Sequence, residues 1–375
     1  MLDAETTGSV GDWHELLLRV AGWIPDDLIC EARSWLADGQ TVDVAQAVAL
    51  AANMERLQLS PEDRELIRAE LEAVGEDLDV VDGFELCDRE LSVPGPWCFH
   101  PAFQVDRDAD AAMPTMMDLT GSDTDPGLMD EIDRAAGKAV ALEPETVAIW
   151  RAWRWPVDGM LDLPAVRVFV VAVSHLDPAE LPGLTRRLQE VLIEMGERNP
   201  QVEVCLDDRS PPRYQLLACA HSALLWAREP AVPIRLARVF DAVDPQLGPM
   251  FTENHPVIDD LDEVERLLDY LDGAMPVLST DDTMVDIFDP GQADVVPLTF
   301  RTDGTWIWTD TVSYYLEHYS LAPDTELLAH LQACVGYPPA VTDVGLHRVA
   351  SFLQRPGDEL VWVPEVGDTT SYLAR

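Results

Sequence analysis

The residues best suited to chemistry in this sequence, its histidines and cysteines, are scattered along the chain. No H-E-x-x-H or C-x-x-C spacing groups them as metal ligands, and no G-x-S-x-G, Walker A or dinucleotide-binding motif occurs. Cys219 and His221 are close in sequence, but residues two apart point to different sides of a helix. His318 and His330 lie on consecutive predicted helices and could meet, although separate, hydrogen-bonded histidines are the commoner arrangement. We predict neither a metal ion nor a cofactor.

Carboxylates near strand ends and one polar loop define an enzyme hypothesis. Asp207 follows a predicted strand and Asp282 precedes another, positions at which α/β enzymes place acid–base groups or magnesium ligands. Glu253 and His255 belong to a compact polar loop that offers a base. These residues would support a hydrolase or transferase of unfamiliar type on the α/β domain. In a chain with 69 acidic residues, however, such groupings also arise by chance.

An acidic run at 106–110 superficially resembles the start of a calcium-binding loop. Such a loop needs a glycine at its sixth position for the sharp turn and a glutamate at its twelfth as a ligand. Ala111 and Met117 occupy those positions. We therefore do not expect calcium binding.

The densest aromatic cluster in the sequence, at 295–331, contains our candidates for binding residues. Asp303–Gly304 stands between two β-prone runs and predicts a hairpin turn, because glycine takes a positive φ without steric cost. We expect the turn to be exposed, with two tryptophans sharing one face of the second strand. If Ile307 faces the core, the two indoles form an anchor patch for a partner; if the indoles face inward, the hairpin is scaffold. The binding candidates are Arg301, Asp303, Trp306, Trp308 and Asp310.

A second aromatic stretch, 147–155, interleaves three tryptophans with Arg151 and Arg154. Tryptophan together with arginine is common at nucleic-acid and protein interfaces. Two arginines cannot offset the surrounding acidity, so nucleic acid is not expected here. The alternative, which we favour, is one strand or helix that packs alternate tryptophans inward and directs its arginines outward.

Net charge is the strongest feature of the composition: 25 basic and 69 acidic residues give −44. Such a charge repels nucleic acid and anionic membrane surfaces and attracts basic partners. Hydrophobic residues make up 47% of the chain, which excludes an acidic disordered protein. Lys138 is the only lysine, which suggests a GC-rich coding bias. The charge is therefore explained equally well by a basic partner or by an organism whose proteins are generally acidic.

The order of predicted elements indicates an α+β protein, with an N-terminal helical domain followed by a mixed α/β domain that has a central sheet. Residues 1–76 read as amphipathic helices, with three tryptophans in their core. Residues 77–140 read as an irregular acidic connecting region. Residues 141–375 form the α/β domain, which contains the 295–308 hairpin.

Within the α/β domain, the run 165–206 reads as a buried strand, a helix and a second strand. Short connections between them indicate a parallel crossover unit. The run 214–227 reads as one helix because of its leucine and alanine content. A terminal strand is predicted at 360–363.

Cysteine usage and the absence of targeting signals predict a cytoplasmic location. The six cysteines show no paired framework, as is usual for thiols in a reducing compartment. The first residues have no basic stretch and no apolar core, so we expect no signal peptide. No run approaches the roughly 18 apolar residues that a membrane span needs.

The stretch 147–331 resembles uncharacterised proteins common in actinobacteria. The similarity is greatest in the segment FRTDGTWIWTD at 300–310, together with Tyr314–Leu316. This resemblance implies an actinobacterial lineage and a cytoplasmic location, but no activity and no site residues.

Charge and the lack of catalytic motifs lead us to expect a non-enzymatic, acidic interaction protein. It would be an immunity-type inhibitor or a chaperone that neutralises a basic toxin or secreted effector. Complementary charge would speed the encounter, and Trp306 and Trp308 would supply affinity.

Overall fold

The computed structural model describes residues 8–87, 97–103, 114–121, 125–157, 164–244, 246, 248–291 and 293–354. The calcium-like run at 106–110 and the predicted terminal strand at 360–363 lie outside the described residues. Helices and mixed sheets together give an α+β fold, which confirms the predicted fold class. The chain divides into two compact units, Met1–Pro230 and Ala231–Arg375.

Unit 1 begins with the amphipathic helices that the sequence predicts. Ser9 and Ser60 cap the first and fourth of them, each accepting a hydrogen bond from the backbone N–H three residues on. Trp13 is fully buried in the helical core, and Trp23 and Trp35 pack against that core. The helices of unit 1 are α1 (Val10–Val20), α2 (Asp26–Ala37), α3 (Thr41–Glu55), α4 (Pro61–Val74), α5 (Asp79–Asp82), α6 (Glu131–Leu142), α7 (Leu181–Glu194) and α8 (Arg213–Ala220).

Unit 1 also contains a large mixed sheet. The strands of the large sheet are β3 (Trp97–His100), β4 (Met117–Asp118), β5 (Thr146–Pro156), β6 (Val166–Val173), β7 (Gln201–Leu206) and β8 (Ala223–Ala227). β1 (Gln58–Leu59) and β2 (Glu85–Leu86) form a separate parallel pair. The order is β4-β8-β5-β6-β7, and β3 pairs with β5. β6 and β7 are parallel and are joined through α7, so the predicted crossover unit is confirmed.

The dividing point at Pro230 lies inside the predicted 141–375 domain. Helix α2 packs against α7, so the N-terminal helices share a compact unit with the sheet. The region 77–140, predicted as irregular, includes α6. That helix begins with a reciprocal cap between Asp130 and Asp133, and its apolar side joins the core of the sheet.

Strand β5 buries its arginines, so the prediction that they face outward is wrong. Arg151 and Arg154 are 4% and 2% exposed, whereas the tryptophans that follow each of them are only half-buried. Arg151 donates to Asp133 at 2.6 Å, and Arg154 donates to Asp26 at 2.6 Å. A buried charge needs a paired, hydrogen-bonded partner. Here the partners come from α6, which directly precedes β5, and from α2, which is more than 100 residues away.

Unit 2 is built from short strands and four helices among the described residues. Its strands are β9 (Arg235–Leu236), β10 (Ala242–Asp244), β11 (Gly248–Met250), β12 (Met275–Leu278), β13 (Thr283–Met284), β14 (Val296–Pro297), β15 (Phe300–Thr302) and β16 (Trp306–Thr309). Its helices are α9 (Leu261–Gly273), α10 (Asp310–Tyr319), α11 (Thr325–Ala333) and α12 (Asp343–Leu353). The main sheet has the order β12-β15-β16-β9.

Candidate functional site

The predicted hairpin is present, and its turn contains Asp303 and Gly304. β15 and β16 pair antiparallel, with Thr302 opposite Ile307. Gly304 has a φ of 93°, a conformation that side chains disfavour. The Thr302 hydroxyl accepts from the Gly304 N–H at 3.0 Å and donates to the Trp306 carbonyl at 2.6 Å. The hairpin turn predicted from Asp303–Gly304 is therefore confirmed.

The two tryptophans of the hairpin are buried. Trp306 and Trp308 are 6% and 0% exposed, and Ile307 between them is also buried. The expectation of an exposed tip is wrong as well, because Thr302 and Asp303 are buried. The reason is the place of β16 in the sheet: it lies between β15 and β9, and both indoles join a core formed with α9 and α11. The outward anchor patch that we considered is not formed.

Asp303 is the hydrogen-bonding centre of the hairpin. Its Oδ1 accepts from the backbone N–H groups of Thr305 and Trp306 at 2.9 and 2.8 Å. Its Oδ2 accepts from the Tyr270 hydroxyl at 3.0 Å and from His330 Nε2 at 2.5 Å. Burial alone would raise the pKa of Asp303, but the hydrogen bonds outweigh it and lower that pKa. The charged carboxylate ties the turn to α9 and α11.

A thiol joins this centre, since Cys334 Sγ lies 3.7 Å from His330 Nε2. A nucleophile–base relay uses both ring nitrogens, one toward the nucleophile and one toward the orienting carboxylate. Here Cys334 and Asp303 approach the same nitrogen, which donates to Asp303. The geometry is that of a structural clamp between α11 and the hairpin. His318, which could have met His330, instead contacts the ring of Tyr314.

Arg301 and Asp310, the remaining binding candidates, pair with each other across the hairpin. Arg301 Nε donates to Asp310 Oδ1 at 2.5 Å, and both side chains are half-buried. Arg301 Nη1 also donates to the carbonyls of Asp272 and Ala274, at 2.8 and 3.0 Å. It thereby satisfies carbonyls at the end of α9 that have no partner within the helix. The contacts of the predicted binding residues are those of the scaffold alternative.

His255, the base of the enzyme hypothesis, has both ring nitrogens engaged. Nδ1 contacts Asp241 Oδ2 at 3.0 Å, and Nε2 contacts the Ala322 carbonyl at 3.0 Å. Burial would lower the pKa of His255, but these two acceptors outweigh it and raise that pKa. Because both ring nitrogens face oxygen atoms of the protein, His255 holds its loop in place and has no ring nitrogen left for a substrate.

The carboxylates of the enzyme hypothesis are surface groups. Glu253 and Asp282 are exposed in unit 2, and Asp207 is exposed in unit 1. An active site would hold such groups in a desolvated cleft, whereas these three side chains are exposed.

Asp286 is a second buried carboxylate of unit 2, and no sequence pattern indicates its partners. Its Oδ2 accepts from the hydroxyls of Tyr314 and Tyr319 at 3.0 and 2.5 Å, and its Oδ1 accepts from the Phe288 N–H at 2.9 Å. Burial opposes the charge, but these donors lower the pKa of Asp286. The tyrosines belong to the predicted helix at 310–319, and only the fold brings them to Asp286.

Charge is divided unevenly between the interior and the surface of this protein. Several arginines lie in buried ion pairs: Arg33 pairs with Glu203 at 2.6 Å, and Arg167 pairs with Asp133 at 3.0 Å. The buried arginines of the described residues are Arg33, Arg151, Arg154, Arg167 and Arg348. The buried acids of the described residues are Asp63, Glu70, Asp133, Glu203, Asp286 and Asp303, so the buried charges nearly balance and the acidic excess of the described residues lies outside the core.

Helix α9 carries several of the exposed acidic residues. Asp262, Glu265, Asp269 and Asp272 are exposed and recur every three or four residues, which places them on one side of the helix. We call this side the acidic face of α9. Among the described residues, none of these carboxylates forms an ion pair. Arg266 of the same helix pairs with Glu263 instead. No basic residue lies in the last turn.

No described group of three or more histidine, cysteine, aspartate or glutamate side chains could hold a metal ion. Within the described ranges, no helix is both long and apolar enough to cross a membrane. Comparison of the chain with protein families, curated proteins and solved structures finds no match. The site must therefore be interpreted from its own contacts and charges.

Proposed function

We propose that this chain is an acidic, non-enzymatic interaction protein that binds a basic protein partner in the cytoplasm. An immunity-type inhibitor or a chaperone of a basic toxin or secreted effector fits this description. The proposal is supported by charge, since the buried charges nearly balance while exposed carboxylates without ion pairs remain on the described surface. Affinity is no longer assigned to Trp306 and Trp308, because both are buried.

The acidic face of α9 is the observation that carries this proposal. Like charges three or four residues apart on a helix repel each other and destabilise it by about 0.2–0.5 kcal/mol per pair. A carboxylate in the last helical turn, such as Asp272, also opposes the helix dipole by about 0.3–1 kcal/mol. Glu265, Asp269 and Asp272 thus oppose the stability of α9, so stability does not explain these three carboxylates. A basic partner would remove the repulsion and gain the favourable charge contacts.

The experiment compares two variants of the full chain that lose the same charge in different places. The first replaces the acidic face of α9 with Asp262→Asn, Glu265→Gln, Asp269→Asn and Asp272→Asn. The matched control replaces exposed, unpaired acids of unit 1 with Glu55→Gln, Glu62→Gln, Glu72→Gln and Glu85→Gln. The probe is an octalysine peptide, and the measurement is its affinity by calorimetry at about 50 mM salt, where screening is weak.

We expect the α9 variant to bind octalysine about tenfold more weakly than the wild-type chain, or weaker still; tenfold corresponds to about 1.4 kcal/mol of binding free energy. The control variant should lose about twofold, through net charge alone. Equal losses in the two variants would remove α9 from the proposal and leave only a general charge effect. A wild-type chain that does not bind octalysine at low salt would overturn the proposed function.

A further inference from the structure

A cluster of partly exposed aromatic rings lies at the end of strand β5 in unit 1. The Phe103 ring is 4.8 Å from that of Trp153 and 6.2 Å from that of Trp155, measured between centroids. The two indoles are 6.4 Å apart. Phe103 is 57% exposed, and the indoles are half-buried. We call these three side chains the aromatic shelf.

The pleat of β5 explains why the shelf forms. Trp153 and Trp155 are two residues apart and so share one face of the strand. His100 lies opposite Trp153 on β3, and its ring is 5.5 Å from Trp155. Large aromatic side chains lose hydrophobic stabilisation when they remain in water. A contiguous group of them on a surface is therefore typical of a recognition site.

On the protein side of the shelf, a guanidinium group already contacts one of its rings. The guanidinium of Arg167 stacks on Trp153, 4.6 Å from the ring centroid. The same guanidinium is bound to Asp130, whose side chain is 51% exposed. A second arginine of this sheet, Arg154, stacks on Trp97 at 4.2 Å. In this unit, aromatic faces thus already receive guanidinium groups beside carboxylates.

We propose that the aromatic shelf receives arginine side chains of the basic partner on its solvent side. This inference rests on the proposed function and adds the means by which arginine is preferred over lysine. The negative face of an aromatic ring attracts a cation, and the net charge of −44 draws cationic segments toward the surface. A guanidinium is planar and weakly hydrated, so it stacks on the exposed Phe103 ring better than an ammonium group does.

The test compares octa-arginine with octalysine as probes of the full chain, at about 100 mM salt. The wild-type chain should bind octa-arginine about fivefold more tightly than octalysine, because stacking adds to a charge attraction that both peptides share. The double variant Phe103→Leu/Trp155→Leu should bind both peptides equally, with octalysine affinity unchanged. Leu142→Ala removes an 84% exposed side chain elsewhere in unit 1 and should keep the preference.

The outcomes separate this inference from the proposed function. Equal binding of both peptides by the wild-type chain, or a preference that survives in the double variant, overturns the shelf as an arginine site while the charge proposal stands. A parallel loss of octalysine affinity in the double variant also overturns it, since the shelf would then be a general apolar contact. Failure of both peptides to bind overturns the proposed function and this inference together. Phe103→Leu alone, at a mostly exposed position, replaces the double variant if that variant does not fold.

Discussion

The carboxylates at the end of α9 predict an unusual mutational result: their removal should stabilise the protein. Asp269 repels Glu265 and Asp272, four and three residues away, and Asp272 lies in the last turn without a basic neighbour in that turn. The double variant Asp269→Asn/Asp272→Asn removes both repulsions, about 0.2–0.5 kcal/mol each, and a dipole conflict of about 0.3–1 kcal/mol. We expect a gain in the free energy of unfolding of about 1 kcal/mol.

Thermal unfolding of the full chain measures this gain. About 1 kcal/mol corresponds to a rise in Tm of about 1 °C for a chain of 375 residues that unfolds as one unit, because the entropy of unfolding is about 2.1 cal/mol/K per residue. Hydrogen exchange of the α9 amides assigns the gain to unit 2. Asp262→Asn is the matched control, because Asp262 lies in the first turn, where a carboxylate favours the dipole. That variant should be less stable than the wild-type chain, so the sign should reverse along one helix.

The reasoning fails if Asp269→Asn/Asp272→Asn lowers Tm, or if both variants change it in the same direction. Salt gives a second criterion. At about 1 M salt the Debye length falls to about 3 Å, so the stabilisation should largely disappear. A gain that persists at high salt would show that packing, and not charge repulsion, is responsible.

The remaining predictions concern unit 2. Asp303→Asn should lower the free energy of unfolding by about 3 kcal/mol, measured with urea, because it leaves buried donors without their charged acceptor. The lowered pKa of Asp303 means that its stabilisation is present above its ordinary value of 3.8 and is lost as the pH falls further. The pKa of His255 is raised, so its contribution to stability depends on pH in the opposite direction. That contribution is complete below pH 6.5 and is lost as the pH rises through the raised pKa. Urea titrations across this range should show that dependence, and His255→Gln should remove it. Trp308→Ala should lower stability by about 3–5 kcal/mol and leave octalysine affinity of the folded chain unchanged.

Local signals in the sequence predicted the elements whose causes are local. The Asp303–Gly304 turn follows from the conformational freedom of glycine, and the start of α4 follows from the cap at Ser60. The buried strand β6 and its crossover to β7 follow from an apolar run and short connections. These features need no knowledge of distant residues.

Features that depend on distant partners could not be predicted. The run 214–227 reads as one helix, but Ala223–Ala227 leaves it and forms β8, because this segment pairs with β5. Tertiary pairing overrides helix propensity in such a segment. Arg151 reads as a surface residue, yet its charge is buried because Asp133 lies beside it. A single sequence contains no signal of that contact.

The candidate site was misplaced for the same reason. The hairpin is aromatic and distinctive, but an interior strand such as β16 has neighbours on both edges and buries both its faces. The clamp of His330 on Asp303 joins residues that are 27 positions apart. The half-buried indoles of Trp153 and Trp155 belong instead to the 147–155 stretch, where the arginines take the buried positions.

The most direct test of the central claim, that the exposed carboxylates serve a basic partner, is the salt dependence of binding. Octalysine affinity of the full chain would be measured from about 50 to about 300 mM salt, for the wild-type chain and for the four-residue α9 variant. We predict a steep fall in the wild-type affinity with increasing salt and a shallower fall in the variant, because fewer charge contacts are lost. An affinity that does not change with salt, or equal slopes for the two proteins, would contradict the account.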